Sequence, residues 1–324
     1  MGLAHKQRGA ALILVLSVVA IVCALASGML FRQALMIRST SSNVSAEQAW
    51  SYMLSGEALV TRLLVKDWQE SEASQIGVDF LGEAWATPIK GFAVGNGELD
   101  IVVEDLQGRL DLNRILSEEG NELELMRLRN LFDLLSIDQG YIDRLVAWKK
   151  AQVFVKEVVG KEEIPSSVGG ADATARVLFR DTSEFLLVGM GFSDYHKLES
   201  YIAALPVDTS GINVNTAPAV VLACLTENSD LGMGAALVEM RNSTGYQSVG
   251  EFIAKFAESG VGIFPGGLSV KSSYFKASFY VRVGKYRRIL ASIFSRDAKG
   301  VVRVVAREFV GSSVAQEFSQ RAQW

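Results

Sequence analysis

Residues 6–32 of the chain read KQRGAALILVLSVVAIVCALASGMLFR. Within this stretch, an uncharged apolar run extends from Ala10 to Phe31, directly after Gly9. The hydrocarbon core of a bilayer is roughly 30 Å thick, and a helix needs about 20 apolar residues to cross it. The run is longer than this minimum, so the sequence predicts a transmembrane helix close to the N-terminus.

The basic residues in front of the apolar run leave three interpretations open. In a plain signal anchor, Lys6 and Arg8 would stay in the cytoplasm and the rest of the chain would be exported. In a secretory signal peptide, cleavage would follow the small residues at 24–26. In a prepilin, a peptidase would cut between Gly9 and Ala10, and the apolar helix would stay in the mature protein.

The sequence that follows the apolar run favours the prepilin interpretation. Apolar residues such as Ala49, Met53 and Val60 recur at three- and four-residue steps, as they do on one face of a helix. We therefore predict one helix from about Ala10 to Lys66, half of it in lipid and half packed on a globular head. A signal peptide requires no such continuation, whereas a pilin subunit is built around it.

The composition argues against several other classes of protein. The chain has 324 residues and a net charge of −4, so electrostatics do not favour nucleic-acid binding. Cys23 lies in the apolar run and Cys224 far along the head, so the two cannot pair within one exported chain. With two histidines and no G-x-S-x-G, H-E-x-x-H or P-loop motif, the sequence predicts no enzyme.

Strand-like segments flank a central region of helical character. An Asn-Gly pair at 96–97 separates two apolar runs and predicts a β-hairpin over 89–104. Runs rich in Val, Phe, Ile and Tyr between 271 and 310 predict a three-stranded meander. The region between these strand groups has helical periodicity, apart from a predicted loop at 157–181, and one of its predicted helices extends from Tyr195 to Leu205.

These segments predict an α+β fold. A long N-terminal helix packs on one antiparallel sheet built from both strand groups, and a large all-α domain is inserted between them. The predicted divisions are a leader at 1–9, a transmembrane segment at 10–31, an amphipathic helix with the first strands at 32–109, the inserted domain at 110–264, and the last strands at 265–324.

Four stretches of the sequence carry a resemblance to a known family. They are QRGAALI at 7–13, EDLQGRLDLN at 104–113, SEFLLVGM at 183–190 and, as the most specific, INVNTAP at 212–218. Together they resemble the minor pseudopilin K family of type II secretion, over essentially the whole chain. The residues of the last stretch also predict a capped helix, with Asn215 or Thr216 as the cap and Pro218 in the first turn.

The resemblance implies a minor pseudopilin at the tip of the type II secretion pseudopilus. Such a subunit starts pseudopilus assembly with the minor pseudopilins I, J and H, and supports export of folded proteins across the outer membrane. The prepilin peptidase and the inner-membrane assembly platform are further implied partners. The chain is expected to cross the bacterial inner membrane once, with a cytoplasmic N-terminus and a periplasmic head, before it joins the tip.

The resemblance also implies roles for individual residues. The prepilin peptidase is expected to cut after Gly9 and to methylate Ala10. The fifth mature position, which is a glutamate in most pilin-like subunits, is Leu14 here. An unpaired carboxylate in an apolar fibre core is costly. A tip subunit has no neighbour above it to supply a pairing amine, so an apolar residue suits that position.

Several alternatives to this function have some support in the sequence. A minor pilin of a type IV pilus would follow the same logic, and a membrane-anchored binding protein would need no fibre. The Gly-x-Gly turns at 189–191 and 232–234 resemble those of SAM-like and helix-hairpin-helix modules, which bind phosphates through backbone N–H groups. Acidic residues flank both turns, so we predict protein packing and not nucleic-acid binding.

Calcium is the one ion that the resemblance raises. Family members are expected to bind it in a loop region of the inserted domain, through acidic side chains and carbonyls. At that place this chain has Trp148 followed by two lysines, which would repel a dication. We therefore predict no cofactor and no metal ligands, and calcium is retained only as an expectation from the resemblance.

Overall fold

The computed structural model describes residues 4–74, 77–116, 121–148, 178–206, 211–241, 244–257 and 262–310. The first residues of the leader, the two lysines after Trp148, and most of the predicted loop at 157–181 lie outside these ranges.

A single helix, α1 (Ala4–Ser74), dominates the N-terminal part of the chain. It contains no proline, and its glycines do not interrupt the helical backbone. The prediction of one long helix is confirmed, although α1 continues beyond the predicted end at Lys66. The added turns contain no helix breaker. They are also held by tertiary contacts, because Asp67 pairs with a guanidinium from the sheet.

The sheet has five strands: β1 (Ile89–Val94), β2 (Gly97–Asp105), β7 (Tyr274–Val283), β8 (Tyr286–Arg296) and β9 (Val302–Val310). Their spatial order is β1-β2-β7-β8-β9, and all neighbours are antiparallel. The predicted hairpin and the predicted meander are thus confirmed, and they form one sheet. Because β2 pairs with β7, the long segment between these two strands in the sequence is an insertion that begins and ends at neighbouring strands of the sheet.

The C-terminal half of α1 packs on one face of this sheet. Gly56 allows the close approach, because a Cβ at this position would lie 2.7 Å from the ring of Phe279. The buried Glu57 also ties the helix to the sheet. It accepts a hydrogen bond from Ser292 at 2.6 Å and two from Arg307 at 2.8 Å. The core between helix and sheet includes Ala49, Met53, Val60, Leu64, Trp85, Leu99, Ile101, Phe275, Phe279, Leu290 and Phe294.

Strand β8 runs in the same direction as α1. Its first residue, Tyr286, lies beside Trp50, and its last residue, Arg296, binds Asp67. The end of the sheet beside Trp50 therefore lies nearest the exposed half of α1, and we call it the proximal end. The opposite end, beside Asp67, is the distal end.

A helical region lies between β2 and β7. Its described helices are α2 (Leu112–Leu116), α3 (Asn121–Leu134), α4 (140–148), α5 (Phe192–Leu198), α6 (Ala219–Cys224), α7 (Leu231–Met240) and α8 (Val249–Ala257). Two parallel pairs of short strands join them: β3 (Leu110–Asp111) with β4 (Ile202–Ala203), and β5 (Ile212–Asn213) with β6 (Leu268–Ser269).

The helical region has a hydrophobic core of its own. That core includes Leu128, Leu131, Phe132, Phe185, Leu198, Val221, Leu222 and Phe252. The α+β fold with a large helical insertion is confirmed, whereas the predicted limits of the inserted domain, 110–264, stay a prediction. The predicted helix from Tyr195 to Leu205 is wrong in its second half. There the backbone leaves the helix after Leu198 and pairs as β4 with β3.

Candidate functional site

The N-terminal half of α1 is fully exposed and apolar. Every residue from 11 to 44 is exposed, including Leu12 at 62%, Leu25 at 69% and Phe31 at 66%. Within the described ranges, α1 is the one helix long and apolar enough to cross a membrane. Soluble monomers rarely expose contiguous apolar patches larger than a few hundred Å², so this half of α1 fits a membrane anchor.

The residues predicted to be processed lie on this same half of α1. Gly9 and Ala10 have helical backbone, and Leu14 is 66% exposed among other apolar side chains. Cys23 is also exposed here, whereas Cys224 is buried in the helical region. Burial raises the pKa of the Cys224 thiol to about 12, which keeps it protonated and unreactive.

A buried polar network joins the sheet to the helical region, with Asp105 at its centre. This carboxylate ends β2 and accepts hydrogen bonds from Thr216 Oγ1 at 2.6 Å and Ser272 Oγ at 2.5 Å. Asn213 Nδ2 and the backbone N–H of Gln107 donate to it as well. Burial raises the pKa of Asp105 to about 6, although the two hydroxyl hydrogen bonds lower it. The network fixes the point at which the chain leaves the sheet.

This network gives the INVNTAP stretch a different role from the predicted one. Asn215 does not cap the following helix, since its side chain binds the backbone N–H and C=O of Tyr246. The hydroxyl of Thr216 is used by Asp105. The cap of α6 is Pro218, which makes no side-chain cap hydrogen bond. The capping prediction was wrong because the buried Asp105 and the Tyr246 backbone compete for the same polar groups.

The EDLQGRLDLN stretch lies on the other side of the same junction. Asp105 caps the turn at 106–108, and Asp111 Oδ1 accepts a hydrogen bond from the backbone N–H of Asn113. Asp111 also accepts from the backbone N–H of Leu205, at 3.0 Å. Burial raises the pKa of Asp111 to about 7. Both family-like stretches thus serve to hold the helical region on the sheet.

A second polar cluster fixes the distal end of α1. Arg296 donates to Asp67 of α1 at 2.7 Å and also pairs with Asp79, which follows α1. Its guanidinium lies 4.9 Å from the ring centroid of Phe275. Glu83 completes the cluster and accepts hydrogen bonds from Trp85 Nε1 at 2.7 Å and the Phe80 N–H at 3.0 Å. This cluster holds the end of α1 against β8.

The three carboxylates of this cluster share one positive charge. Oxygen atoms of Asp67, Asp79 and Glu83 lie within 4.8 Å of one another. Burial, followed by repulsion from Asp67, raises the pKa of Glu83 to about 8, and burial also raises the pKa of Asp67. Because Arg296 already binds two of the three carboxylates, we assign the cluster no metal.

Three buried charged residues were not predicted from sequence patterns: Arg296, Asp79 and Arg127. Arg127 is fully buried in the helical region and binds Glu124 at 3.0 Å and the backbone oxygens of Phe264 and Gly266. A usable signal existed for Arg296. The alternation of β8 places it on the buried face with Phe294, and a charge on the core face of a strand demands a partner.

The two Gly-x-Gly turns are satisfied by the chain's own groups. Asp230 caps α7 and accepts from the N–H of Gly232, and Tyr141 Oη accepts from the N–H of Gly191. An acidic cap at a helix N-terminus opposes a phosphate. The geometry therefore agrees with a packing role for these turns.

Comparisons with known proteins agree with these structural features. Residues 212–271 match the family model described as type II secretion system (T2SS), protein K. The chain is 34% identical over 310 residues to type II secretion system protein K of Pseudomonas aeruginosa, covering 93% of this chain and 92% of the relative. It is 29% identical over 321 residues to the protein of the same name from Aeromonas hydrophila, covering 90% and 94%.

A solved structure shares the fold. It is the crystal structure of the GspK-GspI-GspJ complex from the enterotoxigenic Escherichia coli type 2 secretion system, in which one chain matches with a TM-score of 0.64 and 21% identity. The match covers 84% of this chain and 99% of that chain. The family-like stretches, the fold and the extent of these matches lead to one conclusion: the chain belongs to the type II secretion system protein K family.

Proposed function

We propose that this chain is a minor pseudopilin at the tip of the type II secretion pseudopilus. There it starts pseudopilus assembly and supports export of folded proteins across the outer membrane. One observation carries the proposal: α1 is a single helix whose N-terminal half is exposed and apolar, while its C-terminal half is built into a folded head. Such a helix can leave the bilayer for a fibre core and still remain attached to the head.

The proposed processing concerns the first turns of α1. The prepilin peptidase cuts between Gly9 and Ala10 and methylates the new N-terminus. Leu14 then occupies the fifth mature position, where a carboxylate without a pairing amine would be costly. A subunit without this carboxylate is suited to the tip, where no subunit lies above it. The helical region, attached beside the sheet, would obstruct a further subunit in that direction.

The proposed partners follow from family membership. The related protein K was crystallised in a complex with GspI and GspJ, so the minor pseudopilins I and J are the first partners we propose here. Pseudopilin H, the prepilin peptidase and the inner-membrane assembly platform complete the set. The proposed location is the inner membrane, crossed once, with a cytoplasmic N-terminus and a periplasmic head, until the subunit joins the tip.

The proposed mechanism is mechanical. A growing fibre pushes folded substrates through an outer-membrane channel, and this subunit is a structural part of that fibre that performs no catalysis. The buried titratable groups of the head agree with this role. Asp105 is hydrogen-bonded at the junction of the sheet and the helical region. Asp111 accepts hydrogen bonds from the backbone N–H groups of Asn113 and Leu205, and both carboxylates are buried.

A deletion strain tests this proposal. We expect loss of the chain to leave secreted proteins folded in the periplasm, and the wild-type gene to restore their export. A Gly9→Leu chain, in which the proposed cleavage position is altered, should reach the membrane but fail to restore export. Normal export without the chain would contradict the proposed role, and full export with uncleaved Gly9→Leu would contradict the proposed processing.

A further inference from the structure

The proximal end of the sheet carries a groove beside a basic hairpin turn. The groove has a volume of about 380 Å³ and lies between α1 and the strands β8 and β9. Trp50, Tyr286, Arg288 and Phe309 line it. Lys285 and Arg287 lie on the adjoining β7–β8 hairpin at the end of the sheet, where the alternation of β8 turns Arg287 to the face opposite Arg288. We call these six residues the proximal surface.

The groove is lined by exposed aromatic side chains. Trp50 is 38% exposed and Phe309 is 51% exposed, with ring centroids 5.7 Å apart. The guanidinium of Arg288 lies 5.2 Å from the centroid of Phe309. Tryptophan, tyrosine and arginine are the residues most enriched among the anchors of protein–protein interfaces. The groove therefore has the composition of a protein-binding surface.

The hairpin beside the groove concentrates positive charge. Residues 282–288 read RVGKYRR, although the whole chain has a net charge of −4. Arg282 pairs with Glu98, but it also lies directly opposite Arg287 across the two strands. Like charges at such positions destabilise a hairpin. Within the described ranges, neither Lys285 nor Arg287 has a carboxylate within ion-pair distance, so an acidic partner would relieve this repulsion.

Distance argues against the bilayer as that partner. Trp50 and the hairpin turn lie at one level along α1, since Asn96 of the neighbouring turn binds Tyr52 and Gln48. A helix rises 1.5 Å per residue, so Gln48 lies about 24 Å beyond Arg32, where the apolar run ends. Exposed charges are largely screened beyond about 8 Å at physiological ionic strength. The basic turn is thus too far from the headgroups when α1 stands upright.

We propose that the proximal surface binds an acidic face, with an apolar anchor for the groove, on the head of a neighbouring pilin-like subunit. This inference rests on the proposed function. A subunit whose helix packs beside α1 and is displaced toward the membrane would bring its head against the proximal end. The partner's carboxylates meet Lys285 and Arg287, and its anchor enters the groove between Trp50 and Phe309.

Charge reversal at the turn tests this inference. The full chain is co-purified in detergent with the I and J pseudopilins of the same bacterium, at low and at physiological ionic strength. Wild type is compared with Lys285→Glu/Arg287→Glu. The matched control is Lys299→Glu, a change of the same sign in an exposed turn at the distal end of the same sheet. We expect about tenfold weaker association for the double variant, a smaller salt dependence, and no change for the control.

A folding control and a variant of the groove complete the experiment. An unchanged urea unfolding midpoint shows that the double variant is folded, and Phe309→Ala should weaken association at the groove without altering the charge of the turn. Wild-type affinity in the double variant would overturn the inference. Protection of the hairpin turn from hydrogen exchange in phosphatidylglycerol nanodiscs without partner subunits would assign the surface to lipid and overturn it too. If wild type itself fails to associate, the proposed function fails instead.

Discussion

The two halves of α1 differ sharply although they form one helix. Residues 11–44 are exposed on all sides, and those up to Phe31 carry no charge and are mostly apolar, whereas from Ala49 onward one side of the helix is buried against the sheet. The C-terminal half finds its partners within the chain, in core contacts and in ion pairs at Glu57 and Asp67. Among the described residues, no side chain covers residues 11–44, all of which are exposed. On the proposed function, lipid covers them at one stage and other subunits at another.

The largest expected effect is a loss of head stability when the polar cluster at the distal end of α1 is broken. Arg296→Gln leaves Asp67 and Asp79 without their shared buried cation, and breaking such a pair by removing one partner costs about 3–5 kcal/mol. The measurement is urea unfolding of the head in the detergent-solubilised chain, with tryptophan fluorescence as the signal. Arg303→Gln is the matched control, because Arg303 is exposed on the adjacent strand and pairs with exposed Asp297. A change within about 0.5 kcal/mol is expected for the control, and equal effects of the two variants would contradict this account of the distal cluster.

Two leucine-to-alanine substitutions, one in each half of α1, compare how much each half contributes to the stability of the head. Leu64→Ala empties a fully buried site between α1 and the sheet and should lower the free energy of unfolding of the head by about 3 kcal/mol. Leu25→Ala removes the same atoms from a side chain that is 69% exposed, on the other half of the helix. The same unfolding measurement should show almost no change. A comparable loss for Leu25→Ala would mean that the N-terminal half is part of the head.

A smaller effect concerns pH. The pKa of Glu83 is raised from 4.5 to about 8, so the folded head binds a proton more readily than the unfolded chain. Stability should therefore fall as the pH rises from about 4.5 to about 8. Glu83→Gln, which resembles the protonated side chain, should flatten this slope. Unfolding midpoints across that range check the prediction, and a stability that rises over the same range in wild type, or an unchanged slope in the variant, would contradict it.

Local patterns in the sequence predicted most of the fold. The long helix and the Asn96 hairpin have periodicities and turn residues that act within a few positions, and both are confirmed. The predicted end of α1, at Lys66, was too early, because the last turns up to Ser74 depend on contacts with the sheet. The polar clusters were missed for the same physical reason. Arg296 and Asp79 are 217 positions apart, and no local pattern connects them.

The INVNTAP stretch shows the limit of local reasoning most clearly. Its polar residues have the composition of a helix cap, yet Thr216 binds Asp105, which lies 111 positions earlier in the chain. Asp105 is buried and needs hydrogen-bond donors, and this need outweighs the gain from a cap. The resemblance of both stretches to the protein K family therefore reflects a single buried junction, which fixes the helical region on the sheet.

The N-terminal mass of the mature chain tests the proposal that the exposed half of α1 leaves the membrane and becomes part of a fibre. The chain is isolated from membranes of cells with and without the prepilin peptidase. We predict a methylated chain that starts at Ala10 and is present only with the peptidase. A start near Ser27, as after signal-peptide cleavage, or an intact Met1 in both strains, would contradict the claim and leave an exported or anchored protein without a fibre role.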